Sequence, residues 1–175
     1  LLAVAGADIV LLAVPVSATE ATLKAIRHLV TPQMLIMDVG STKADVVQAA
    51  ESALREKVGS FVPAHPITGR EVSGVEHAEA DLYSGRQVIL TPTERTYPAR
   101  LQPRPAAWSQ RGSRVTRMSP ESHDAAFAAV SHLPHLLAFT LINSIAGQED
   151  ADTYLSLAGP GFRDFTRIAA SDPKV

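Results

Sequence analysis

Residues 8–16 read DIVLLAVPV, an unbroken apolar run rich in β-branched side chains. A strand with one wet face alternates apolar and polar residues, because successive Cβ atoms point to opposite faces. No alternation is present, so the run predicts a strand buried on both faces of a parallel sheet. Just after it, Ser17 and Glu20 stand at capping-box spacing and predict a helix reaching about His28. The cycle repeats. MLIMDVG (34–40) reads as a strand, and STKADVVQAAESALREKV (41–58) as a helix closed by Gly59. SFVPA (60–64) and QVILTP (87–92) read as two further short strands. Strands alternating with helices predict a doubly wound α/β sheet.

The composition permits such a core. Hydrophobic residues make up 46% of the 175 and charged residues 19%, which excludes global disorder. A net charge of −2 gives no electrostatic reason to expect nucleic acid or an anionic membrane as partner. Cysteine is absent, which excludes disulfides and thiolate metal sites and suits the cytoplasm. The opening LLAVAGADIVLLAVPV is interrupted by Asp8 and has no basic flank, so it predicts neither a signal peptide nor a membrane span. The chain starts without Met inside a hydrophobic pattern and is expected to be a fragment.

From Ser119 the texture changes. Ser119-Pro120-Glu121 is an N-cap, a proline at the first helical position and an acid at the positive end of a helix. The long apolar stretch that follows is expected to kink at Pro134, which cannot donate to the carbonyl four residues back. GPGFRDFTRIAASDP (159–173) predicts a last helix, opened by glycines and stopped by Pro173. The expected division is 1–118, an α/β portion, and 119–175, the start of an all-helical one. Between them, residues 92–117 carry four prolines among six arginines. Three of the prolines fall where an α/β pattern calls for a helix, so this interval is read as a loop or damaged helix rather than a nucleic-acid arm.

Several polar residues attract attention. On a helical wheel Asp124, Ser131 and His135 share a side of an otherwise apolar helix, with His132 a little further round. They need partners or a wet cavity, and a helix–helix hydrogen-bond network explains them as well as a site does. Arg163 and Arg167 flank the last helix; arginine suits a carboxylate, and a surface salt bridge is the plainer reading. VGSTK (39–43) ends a strand at the edge where open α/β sheets bind ligands, yet Ser41 could equally be a helix cap. His65, in HPITGREVSG (65–74), follows a strand at the same edge. It is either a proton acceptor or part of a structural turn.

Taken in order, DVGSTK, HPITGREVSGVEHA, LYSGRQVILTP, HDAAFAAVSHLPHLLA and GFRDFTRIAASDP resemble the prephenate/arogenate (cyclohexadienyl) dehydrogenase family of tyrosine biosynthesis. The resemblance implies a Rossmann-type nucleotide domain, of which 1–118 is the C-terminal portion. It also implies a helical dimerisation domain, of which 119–175 is the N-terminal portion. The implied reaction is NAD- or NADP-dependent oxidative decarboxylation of prephenate or arogenate by a homodimer. Carried over by position, His65 is the catalytic histidine and Ser41 orients it beside the nicotinamide. Arg167 grips a substrate carboxylate; Ser131, His132 and His135 line the substrate pocket; Glu71 stands near its mouth. Val14 and Pro15 run along the cofactor. The family's Gly-x-Gly-x-x-Gly turn is not within these residues, so weak or no cofactor binding, and impaired or no activity, is expected of this fragment alone. Two readings of another class remain open: a non-catalytic remnant that only dimerises, and a metal-dependent hydrolase built on the histidines. No His-Glu-x-x-His or Gly-x-Ser-x-Gly pattern supports a metal or serine hydrolase.

Overall fold

The computed structural model describes residues 2–69, 75–101 and 106–170. The chain folds as two compact units, the first closing at Asp124 and the second beginning at Ala125.

In the first unit, β1 (Ile9–Leu12), β2 (Leu35–Asp38) and β3 (Phe61–Val62) form a parallel sheet in that order. The helices α1 (Thr19–Ile26) and α2 (Ala44–Leu54) connect them. All four residues of β2 are buried, which is why its sequence shows no alternation. Ile36 packs with Leu23, Val46, Leu54 and Phe61, while its neighbours Leu35 and Met37 pack on the opposite face with Val62, Val88 and Trp108. The same expectation fails for β1. Ile9 is 43% and Leu11 46% exposed, because among the described residues β1 pairs with β2 alone and one of its faces is uncovered.

The ladder between β2 and β3 ends at Met37 and Val62. Pro63, next in line, has no N–H to donate. There the chain leaves the first sheet for a second one, made of β4 (Ala64–Pro66), β5 (Gln87–Leu90) and β6 (Arg114–Arg117). β4 runs antiparallel to β5, and β5 parallel to β6. His65 therefore lies within a strand, not after one.

Three local expectations are corrected. Ser17 and Glu20 form no capping box: a 3-10 turn over Val16–Ala18 leads into α1, and the Glu20 carboxylate bonds Lys24 and the Ser52 hydroxyl instead. α2 stops at Leu54 because Arg55 takes a left-handed φ of 54°, and a 3-10 segment covers the rest. Gly59 still has a task. A Cβ there would stand 2.4 Å from the Tyr97 ring, so only glycine lets that ring lie on the backbone.

The Pro/Arg-rich interval is also more ordered than a loop. It contains the short helix α3 (Ala106–Ser109) and the strand β6, and Trp108 is buried edge-on to Tyr83 with ring centres 5.2 Å apart. Three of its arginines bond carbonyls of the same unit: Arg95 to Arg55, Arg100 to Gln33, Arg117 to Leu101. β6 was hidden because its partner β5 supplies the hydrogen bonds, whatever its own polar composition.

The helix α4 (Pro120–Phe127) starts as its sequence predicts, with the Ser119 hydroxyl accepting the Ser122 N–H at 3.1 Å. The second unit then holds a π-helical turn over Ala128–His132, α5 (Leu133–Ala146), α6 (Ala151–Ser156) and α7 (Pro160–Thr166). The π turn is how Pro134 is accommodated: the Leu133 N–H reaches five residues back, to the Ala128 carbonyl. In α7 the apolar face is not simply buried. Phe165 is exposed while Thr166 is buried, its hydroxyl bonded to the Phe162 carbonyl. The predicted stop at Pro173 lies outside the described residues. From Pro120 to Ala146 the helix is long and apolar enough to cross a membrane. It nonetheless carries His123, Asp124, His132 and His135, and the first two are engaged with the α/β unit.

Candidate active site

β4 brings His65, half-buried, to the start of α4. Its Nδ1 lies 2.8 Å from Nε2 of His123, a fully buried ring inclined at 64° to it. His123 Nδ1 lies 2.8 Å from Asp124 Oδ1. Asp124 in turn closes the N-terminus of α2, 81 positions earlier in the chain: Oδ1 accepts the Lys43 N–H and Oδ2 the Ala44 N–H, each at 2.8 Å. Helix N-termini leave N–H groups unsatisfied and favour negative charge, so the carboxylate sits where it is most stable. Burial works against its ionisation. The Ala44 N–H, His123 and the Lys43 N–H outweigh that and hold the carboxyl below its ordinary range.

Hydrogen-bond chemistry orients this chain. An ionised carboxylate only accepts, so His123 carries a proton on Nδ1; with that ring neutral, Nε2 turns a lone pair towards His65. His65 then donates from Nδ1, which puts its own lone pair on Nε2. A neutral imidazole with a fixed basic nitrogen is what proton abstraction near neutral pH requires.

Beneath this chain lies a buried ion pair. Lys43, fully buried, donates from Nζ to Asp38 Oδ2 at 2.5 Å and to the Ala64 carbonyl at 2.8 Å. Asp38 also accepts the Gly40 and Ala64 N–H groups. Burial pulls the Lys43 ammonium below its ordinary pKa, and the charges of Asp38 and Asp124 oppose that pull.

The remaining expected residues are placed as follows. Ser41 is exposed on the loop between β2 and α2, and Nδ1 of His65 meets His123. Val14 packs against the first core, and Pro15 is exposed at the head of the 3-10 turn. In the second unit His135 Nδ1 lies 2.9 Å from the Ser131 carbonyl, which brings those two residues together; His132 is exposed, and Arg167 is exposed behind α7. Glu71 lies outside the described residues. Asp124 does not serve the polar stripe drawn on the wheel, since its carboxylate is spent on α2 and His123. Among the described residues no cluster of three or more His, Asp or Glu side chains is arranged to hold a metal ion.

The sequence reading missed His123 as the partner of His65, and Lys43 altogether. His123 did carry a signal, a histidine beside an unexplained aspartate in the first turn of a well-capped helix. Lys43 carried none that separates it from a surface lysine.

Residues 1–117 match the family model for the prephenate dehydrogenase nucleotide-binding domain, and residues 119–175 that for its dimerization domain. The chain belongs to the prephenate dehydrogenase family. Among the family's curated members, the cyclohexadienyl dehydrogenase of Zymomonas mobilis is 35% identical, over 99% of this chain and 59% of its own length. The prephenate dehydrogenase of Bacillus subtilis is also 35% identical, over 94% of this chain and 44% of its own. Among solved structures, the prephenate dehydrogenase of Aquifex aeolicus with hydroxyphenyl propionate and NAD+ superposes with a TM-score of 0.85 at 40% identity, covering 95% of this chain and 58% of that one. The arogenate dehydrogenase of Synechocystis gives 0.81 at 30% identity, covering 97% and 60%. The chain thus spans about half to three-fifths of the length of these relatives.

Proposed function

We propose that the whole protein oxidatively decarboxylates prephenate to 4-hydroxyphenylpyruvate, or arogenate to tyrosine, with His65 as the base. The observation that carries this reading is the oriented chain Asp124–His123–His65. His65 takes the proton of the substrate's ring hydroxyl at Nε2, and the positive charge that develops is balanced by the Asp124 carboxylate through His123. Carbon dioxide leaves as the ring becomes aromatic. NAD or NADP, when bound, accepts the hydride from the carbon that bore the hydroxyl. The carboxyl edge of the parallel sheet is where open α/β sheets take a nucleotide; Gly40 lets the turn there pack tightly on the chain's own side chains, a Cβ standing 3.0 Å from Asp38 Oδ2 and 3.1 Å from Val16. Val14, Pro15 and Ser41 are the residues to hold it, and Ser41 to orient its reacting end. Arg167 is the fork for a substrate carboxylate, with Ser131, His132, His135 and Glu71 around the substrate.

The second unit exposes Val130, Leu136 and Leu157 by 72%, 62% and 77%, which supports a homodimer formed through its helices. The cysteine-free composition agrees with the cytoplasm.

The test is the whole protein assayed with prephenate or arogenate and NAD+ or NADP+, following the reduced cofactor, beside the variant His65→Asn. Asparagine keeps a polar contact but takes no proton. The expected loss in kcat is about 100- to 10,000-fold with KM little changed. An unchanged kcat removes His65 from the chemistry.

A further inference from the structure

The Asp38–Lys43 pair takes no part in the proton chain, yet among the described residues it is the most deeply buried ion pair. Net stability is a weak reason for it. Replacing a buried ion pair by apolar side chains of similar volume is often neutral or stabilising, because two desolvation penalties disappear. Its geometry points elsewhere. Where Pro63 interrupts the sheet, Asp38 and Lys43 take over the lost ladder: Asp38 accepts the Ala64 N–H at 2.9 Å, and Lys43 donates to the Ala64 carbonyl. Both polar groups of the residue preceding His65 are thus held by side chains.

Lys43 also acts through its backbone, whose N–H holds Asp124. A closed ring results. It runs from Lys43 Nζ to Ala64, along the chain to His65, across to His123, on to Asp124 and back to the Lys43 N–H. Each of its four hydrogen bonds measures 2.8 Å. One residue therefore grips both ends of the His65–His123 contact.

We propose that Lys43 is a positioning residue: by closing this ring it sets the separation and tilt of His65 against His123 and so fixes the proton on His65 Nδ1. The role rests on His65 being the base of the proposed reaction.

Lys43→Met alone would leave Asp38 buried without its cation, so the informative change is Lys43→Met with Asp38→Asn, which keeps volume and removes both charges. The first readout needs no substrate: the ring-nitrogen NMR shifts of His65 and His123 in the neutral protein. The expected result is a cooperatively folded variant in which His65 no longer shows a single Nδ1–H tautomer. In the whole protein, kcat falls about 100-fold with KM nearly unchanged, as small misplacements of a catalytic group do.

Rescue uses Lys43→Cys, aminoethylated while unfolded and then refolded. The sequence has no other cysteine, so the ammonium returns at one position only. Restoration of the His65 signature is expected. The proposal is overturned if the double variant keeps the wild-type tautomer, if aminoethylation fails to restore it, or if both variants simply unfold. If the ring signature shifts as expected while the unmodified whole protein reduces no cofactor with either substrate, the positioning role stands and the dehydrogenase reading fails.

Discussion

Replacing Asp124 by alanine separates a structural cap from an orienting group in one experiment. The carboxylate accepts two N–H groups at the start of α2 and the ring N–H of His123. Loss of a helix cap costs about 1 kcal/mol and at most about 2. His123 is fully buried, so its abandoned donor costs about 1–3 kcal/mol more. Asp124→Ala is therefore expected to destabilise the first unit by about 2–5 kcal/mol in denaturant titrations, with an unchanged m-value. Asp124→Asn keeps the shape and one oxygen. If that oxygen faces His123, it preserves the tautomer and costs about 1 kcal/mol, for the lost Ala44 bond and the lost charge at the helix end. If the amide turns its NH2 to His123, the whole chain reverses and His65 is protonated on Nε2. The stability contribution also has a defined pH dependence. The folded-state pKa of Asp124 lies below the unfolded value, so the contribution is complete above about pH 4 and is lost as the pH falls through the folded value. The difference in stability between wild type and Asp124→Ala should accordingly shrink in acid. A cost under about 0.5 kcal/mol, or a difference that does not vary with pH, would refute the argument that this carboxylate serves both α2 and His123.

Three further outcomes follow from particular contacts. Gly59→Ala drives a methyl group into the Tyr97 ring and is expected to cost about 1–3 kcal/mol, most of it recovered in the double variant with Tyr97→Ala. Leu136→Asp puts a charge into the exposed apolar surface of α5; for the proposed homodimer, sedimentation should show dissociation to monomer with helical content retained. His65→Asn, the variant expected to slow the proposed reaction, should change the unfolding free energy by no more than about 1 kcal/mol, since its half-buried ring is not in either hydrophobic core.

Much of the architecture is written in local pattern. Leu35–Asp38 shows no alternation because both its faces are buried, and Ser119-Pro120 starts a helix because each residue satisfies a backbone requirement of its own position. The order of short motifs identifies the family and marks His65 as a candidate. Such signals survive in one dimension because strand faces, caps and turns are set by residues within a few positions of each other.

What only the folded chain decides are the pairings between distant segments. β6 forms from a stretch crowded with arginine because β5 presents a row of bonds to it. Arg55 ends α2 early through a backbone angle that its side chain does not announce. Asp124, which on a wheel belongs with Ser131 and His135, closes a different helix, and His123 changes from one histidine among six to the neighbour of His65. Lys43 reads as a solvated lysine until Pro63 breaks the sheet and leaves Ala64 in need of side-chain partners. A hydrogen bond or buried charge is stabilised by whatever group stands within about 3 Å of it, and which group that is depends on how the whole chain closes.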